Sequence, residues 1–348
     1  MRLSCLRMLA VLCVAVLLTG SVTARGADGN MRIYFVDVEG GQSTLFVTPE
    51  GRSLLIDTGW PDNHFRDADR IAAVAKKAGV QQIDAVLITH FHVDHVGGVP
   101  QLVQRIPVGV FYIHGANREM DRGVTEAGYA AFEKVLAQSG VKAVVLHPGE
   151  RLQLPGFDAT VISADGNLIA KPLPGAGQLN PYCKATEVRP ADQTENARSL
   201  GILLRFGRLR ILDLGDLTWD KERELMCPAN RIGRVGLLVV SHHGWFHSSS
   251  AALVDAIHPV VAIMDNGETK GGSIPVLETV RHAPGLQALW QLHYSDEGGA
   301  THNTAPEYIA NLAGTQAGYD IEVIAERDGK ITVRNGRTGM EKSYVAGE

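Results

Sequence analysis

Thr89-His90-Phe91-His92-Val93-Asp94-His95 places three imidazoles and a carboxylate within six residues. They stand directly behind the apolar run Asp84–Thr89 and just before Gly97-Gly98. The apolar run reads as a buried strand. At its end, the alternation of a strand lets His90 and His92 project to one side. The turn that follows brings Asp94 and His95 to an adjacent position. Neutral imidazole and carboxylate are donors for zinc and similar ions. The competing reading is a surface cluster of polar residues, but chance production of H-x-H-x-D-H at this place is improbable.

The rest of the chain supplies a frame for that turn. Short strands are expected at Arg32–Val38, Ser43–Thr48 and Ser53–Asp57, and a helix at Asp69–Ala78. Strands near Val108–Ile113, Val144–Leu146, Arg151–Leu154 and Phe157–Ser163 follow, with a helix at Glu126–Ser139 between them. From 165 to 195 no period is visible, and the stretch holds four Pro and three Gly. A segment of that kind is either a lid over a site or an idle surface insertion. The second half repeats the pattern: a hairpin Ser199–Phe206/Leu209–Leu214, then helices and strands in alternation. The last strands are expected at Ile321–Glu326 and Ile331–Arg334. Strands first and helices after, twice over, imply two face-to-face sheets with helices outside.

Three more strand ends carry polar residues that suit the same site: Asp57, Asp216 in Leu214-Gly215-Asp216, and the pair His242-His243 in Ser241-His242-His243-Gly244. Singly, each is an ordinary strand-ending turn. Together, at one edge of a layered structure, they read as one site. His114, at a strand end, and His293 and His302, in a Gly-rich loop, are candidates to face the cleft. Trp60, just after Asp57-Thr58-Gly59, can wall the pocket or cap the core. His64, His147, His258 and His282 read as surface residues.

Composition limits the setting. Residues 1–24 have the layout of a secretory signal: Arg2 and Arg7, an eleven-residue apolar run Met8–Leu18, then small residues to Ala24. Eleven residues are too few for a bilayer core that needs about 20. Cleavage near Ala24 would take the net charge from −5 to −7. The reading is an exported protein, periplasmic or extracellular, with no membrane span after cleavage. Of four cysteines, Cys183 and Cys227 stay in the mature chain, where an oxidising compartment would allow them to pair. The negative charge gives no field for strong nucleic-acid affinity.

The order of these motifs resembles a metallo-β-lactamase-fold hydrolase from about Met31 to the last strands. The domain is expected over 31–335. "VDVEGGQSTLF", "ENARSLGILLRF", "LGD" and "SHHG" are similar to the subgroup that includes the hydrolase domain of competence (ComEC-type) DNA-uptake proteins. The resemblance implies an α/β fold, a four-layer αββα sandwich. It also implies ligand sets. His90, His92, Asn196 and Asp216 would form a first metal position, with Asn196 where the family normally has His. Asp94, His95, Asp216 and one of His242 or His243 would form the second, with His242 preferred because it directly follows its strand. Asp57 would orient ligands, and Asp94 and Asp57 would serve catalysis. Zinc is the expected ion, one or two per chain, with manganese as an alternative.

A dinuclear site of this kind can bring the pKa of bound water to about 7. Its residual positive charge favours an anionic electrophile or a developing oxyanion. No G-x-S-x-G nucleophile elbow is present. Three readings follow: a secreted metal-dependent hydrolase of phosphodiesters or other anionic esters; a hydrolase of lactones or β-lactam-type cyclic amides; and a non-catalytic metal-binding member of the fold, for which Asn196 is the support. His114, Trp60 and His302 are the candidate substrate contacts, and the expected partner is a small-molecule or phosphodiester substrate.

Overall fold

A computed structural model describes residues 28–61, 63–119, 124–314 and 318–346. The expected signal, residues 1–24, lies outside the described residues. Two sheets form the centre. The first runs β17 (Glu341–Val345), β16 (Lys330–Asn335), β15 (Ile321–Ala325), β1 (Met31–Phe35), β2 (Thr44–Val47), β3 (Ser53–Ile56), β4 (Ile83–Leu87), β5 (Val108–Ile113), β6 (Lys142–Val145). The second runs β14 (Ile309–Asn311), β13 (Ala288–His293), β12 (Val261–Met264), β11 (Leu237–Val239), β10 (Leu209–Asp213), β9 (Gly201–Phe206), β7 (Asp158–Ala164), β8 (Asn167–Leu168).

Strands β2, β3, β11, β12 and β13 are buried at every position because both faces are covered. Leu54 and Ile56 of β3 point between the sheets with Leu204, Ile211, Val239 and Trp290, whereas Leu55 points outward. There it meets Ile71 and Val74 of the helix Arg66–Lys77 and Phe132 of the helix Val124–Ser139. On the other side, Leu212 and Leu238 pack outward with Leu225, Leu253 and Leu277 of the helices Trp219–Met226, Ala251–Ile257 and Ile274–Arg281. This is the αββα sandwich expected from the sequence.

Strands β3 to β6 are parallel to one another, and so are β10 to β14. Their carboxyl ends therefore gather at common edges, the place where open α/β sheets present ligands. Gly215, at φ +55, lets the turn after β10 reach the end of β4: a Cβ there would stand 2.8 Å from Thr89 Cβ.

Two expectations change. The sheet does not end at Arg334, since Glu341–Val345 pairs antiparallel with β16 and carries the fold past 335. Arg151–Leu154 is not a strand; only Arg151 bridges to Thr160. Within the 165–195 stretch, the segment from Leu179 to Cys183 is fastened to the second half. Asn180 is buried and donates to Met226 O and Ala252 O, Leu179 bridges to Ala229, and a disulfide joins Cys183 to Cys227.

That disulfide closes a loop with a sequence separation of 44. Loop-closure entropy assigns such a link up to about 4 kcal/mol. Cys183→Ser is expected to lower the thermal midpoint measurably while leaving metal content unchanged. Equal midpoints for the two proteins would show that Asn180 and the Leu179 bridge hold the segment alone.

Candidate metal centre

The histidines and carboxylates of the centre come from strand ends. Asp57 follows β3, His90 to His95 follow β4, Asp213 and Asp216 close β10, Ser241 to His243 follow β11, and Asp265 follows β12. Three of these residues, Asp57 (φ 58), His242 (φ 56) and His243 (φ 53), occupy the left-handed region that non-glycine residues rarely enter. Such strain persists where the surroundings over-determine it. His242 N donates to Gly215 O, and His243 O accepts from Gly272 N, so the turn is clamped from both sides.

Asp94, His95, Asp216 and His243 are buried, and each offers a ligand atom within 4.8 Å of the others. Asp216 is the hub. Its Oδ2 lies 3.3 Å from His95 Nε2, 3.4 Å from His242 Nε2 and 3.8 Å from His90 Nε2, and its Oδ1 lies 3.6 Å from His243 Nε2. Asp94 Oδ2 is 3.3 Å from His95 Nε2 and 3.2 Å from His243 Nε2. The preferred member of the histidine pair changes: His243, not His242, completes the foursome. His242 stands at its border, with Nδ1 3.2 Å from Ser248 Oγ.

The residues fit a cation. His90 Nε2, Asp216 Oδ1 and Asn196 Oδ1 are buried polar atoms with no hydrogen-bond partner among the described residues. Buried polar groups are ordinarily paired. The unpaired His90 Nε2 and Asp216 Oδ1 belong to side chains that meet 3.8 Å apart, and an ion between them would satisfy both.

Carboxylates behind the imidazoles hold them in place. His95 Nδ1 donates to Asp57 Oδ2 at 2.7 Å, which turns Nε2 to the cluster. Asp57 in turn accepts from Thr89 N at 2.8 Å and Thr89 Oγ1 at 2.6 Å. Asp57 therefore acts through His95 and does not join the cluster. Asp265 Oδ1 stands 3.4 Å behind His243 Nδ1, without a hydrogen bond between them.

Charge is strongly coupled here. Burial would raise the Asp94 carboxyl, but Lys270 and His95 hold it well below the usual range. Burial would also raise Asp216, and His242, His95 and His243 override it. His90 is pushed well below the ordinary histidine value by burial and by His95 and His92, and His242 falls to about 4, chiefly by burial. Burial works against a charged His95, yet Asp216, Asp94 and Asp57 lift it well above that value.

The other expected residues have partners of their own or lie on neighbouring turns. His92 Nε2 faces Glu119 Oε2 at 3.3 Å, while its ring lies 4.7 Å from that of His90. Asn196 rides on the turn Glu195–Arg198. His114 is buried, but its Nε2 is committed to Glu195 at 2.9 Å, and Glu195 also accepts from Phe91 N and Arg118 N. His114 thus anchors the Asn196 turn instead of facing the cleft. His302 pairs with Glu278 at 2.9 Å on the helix side, away from the cluster, and His293 is held by Asp37 at 2.7 Å.

Lys270 was not anticipated. Its ammonium contacts the Asp94 carboxylate, donates to Gly40 O at 2.7 Å and lies 4.9 Å from the centre of the Trp60 ring. Trp60 and Lys270 together form one side of the centre. The opening GGQ segment explains itself similarly, because Gln42 Nε2 donates to Asp213 Oδ2 across the two sheets at 2.7 Å. A lone lysine in a Gly-rich loop carries no sequence signal. Asp265, at the end of an apolar strand, had the same signal as Asp57.

Residues 37–180 match the family model for the metallo-beta-lactamase superfamily. Curated relatives include a hydroxyacylglutathione hydrolase of Klebsiella pneumoniae subsp. pneumoniae, 31% identical over 34% of this chain and 36% of the relative. ComE operon protein 3 of Bacillus subtilis is 23% identical over 67% of this chain and 28% of its own. The chain thus spans about a third of the length of these two relatives. Among solved structures, a diphosphatase of the PhnP family aligns with 84% of this chain and 98% of its own at 14% identity, with a TM-score of 0.39. The H-x-H-x-D-H turn lies within the 37–180 stretch that is similar to the metallo-beta-lactamase superfamily, and the αββα sandwich around it is the fold that this similarity implies.

Proposed function

We propose that the protein is an exported metal-dependent hydrolase acting on a phosphodiester or other anionic ester. The observation that carries this reading is the buried Asp216 hub, ringed by imidazole nitrogens that include the unpaired His90 Nε2. In this reading Asp94, His95, Asp216 and His243 hold one ion, and His90, His92, Asn196 and Asp216 hold the other. The imidazole-rich donor set favours zinc, and its carboxylates also suit manganese. Such an ion, when bound, supplies Lewis acidity and lowers the pKa of water. The chain's own part is placement and charge. Asp57 orients His95, and Asp265 places a negative charge 3.4 Å behind His243. Lys270, steadied on Trp60, offers a cation to the anionic group of a substrate, which favours an anionic ester over a neutral one. The disulfide and the 1–24 pattern support export.

A panel of chromogenic phosphodiester, lactone and cephalosporin substrates, with metal content per chain, tests the assignment. Phosphodiester turnover with at least one metal per chain is the expected result. Turnover of only the lactone or cephalosporin would replace it with ring-opening chemistry. A metal-loaded chain inert on all three would favour the non-catalytic reading.

Asp57→Asn is expected to weaken metal binding by about 10–100-fold, the usual effect of losing a carboxylate behind a histidine ligand. Competition with a chelator measures it. An unchanged affinity would mean that packing alone fixes the His95 ring.

A further inference from the structure

Strands β10, β11 and β12 carry residues of the metal centre at their carboxyl ends. Their amino ends meet at the opposite edge, roughly 15 Å away at about 3.3 Å per residue. There a cavity of about 490 Å³ is lined by Arg208, Arg210, Arg234 and His258, with Val235 and Val260 beside them. A second hollow of about 280 Å³ shares Arg234 and His258 and continues past Leu179 and Tyr182. Together they form one groove, walled by the same stretch that Asn180 and the Cys183–Cys227 disulfide hold in place.

The charge of this groove is one-sided. No acidic side chain lines either hollow among the described residues. Arg210 stands directly opposite Arg205 on the neighbouring antiparallel strand, a like-charge pair that destabilises a sheet. Arg210 donates to Ile232 O, and its Nε is buried without a partner. Arg205, Arg210 and Arg234 have no carboxylate within 4.0 Å among the described residues. Guanidinium forks match phosphate and carboxylate groups. The cavity volume is in the range of a small-molecule site, roughly 300–1,000 Å³.

We propose that this groove is a second, non-catalytic binding site for a small organic anion. Arg210 and Arg234 take its phosphate or carboxylate group, and the Val235–Val260 side takes its apolar part. The site is independent of the metal centre and of the reaction assigned to it. It also gives the 165–195 stretch a role, as the wall of an anion groove at the far end of the fold.

Calorimetric titration of the metal-loaded protein with phenylphosphonate, benzoate and inorganic phosphate tests the proposal, because none of the three is consumed by hydrolysis. Phenylphosphonate or benzoate should bind saturably and more tightly than inorganic phosphate; which of the two is tighter names the anionic group. Arg234→Met, a change at an exposed position, should weaken that binding about tenfold or more while turnover is unchanged. Arg210→Met/Arg234→Met should weaken it further. An anion held at the metal centre binds wild type and Arg234→Met alike, so equal affinities for the two would overturn the proposal. So would the absence of saturable binding to wild type at millimolar ligand. If the double variant does not fold, Arg234→Met decides alone.

Discussion

Exhaustive chelation is expected to abolish hydrolysis, and zinc or manganese is expected to restore it. Nothing else at the strand edge replaces what the ion provides. Free water ionises with a pKa near 15.7, and a bound ion brings that to about 7, so its loss removes several orders of magnitude of nucleophile at neutral pH. Several buried histidines are committed to carboxylates. His95 is committed to Asp57, His114 to Glu195 and His293 to Asp37. Lys270, a cation, cannot serve as one while it contacts Asp94. The metal-free chain should also be less stable, since an ion that binds only the folded state at 1,000 times its Kd contributes about 4 kcal/mol. Turnover, thermal midpoint and metal content measured on one preparation read all three consequences. Full activity in verified metal-free protein would overturn the mechanism.

The sequence made the layers legible because the central strands are apolar runs and the helices have one-sided faces. DAVLIT and LLID cannot sit anywhere but between two covers. The metal turn was legible for a different reason: its ligands are local, within six residues. What was not legible depends on contacts distant in the chain. That His243 reaches Asp94 as well as Asp216 depends on two left-handed residues and on Gly215 and Gly272, which the pair's position after a strand does not reveal. His114 has the strand-end position of a cleft residue, but Glu195, 81 positions away, takes its nitrogen. Lys270 reaches Asp94 across a separation of 176, and no periodicity encodes such a meeting. The strand Glu341–Val345 was missed because EKSYV is half charged or polar, as befits an edge strand with one face to water.

Asp216→Ala is expected to cost far more activity than Asn196→Ala. Asp216 is buried and lies within 3.8 Å of the Nε2 atoms of His90, His95 and His242, with His243 at 3.6 Å from its other oxygen. Removing it takes one charge from the meeting point of both proposed positions. Breaking a buried charged pair costs about 3–5 kcal/mol. If that loss falls on the transition state, turnover drops by roughly two to four orders of magnitude. Asn196 offers a neutral amide oxygen to one position only. A buried polar partner of that kind contributes about 1–3 kcal/mol, or roughly one to two orders of magnitude. Metal stoichiometry separates the two changes further. Asp216→Ala should lower occupancy at both positions, whereas Asn196→Ala should spare the position built from Asp94, His95 and His243. Steady-state turnover and metal analysis on the two variants make the comparison. A larger loss at Asn196, with Asp216→Ala retaining both ions, would move the bridge away from Asp216 and require Asp94 to take its place.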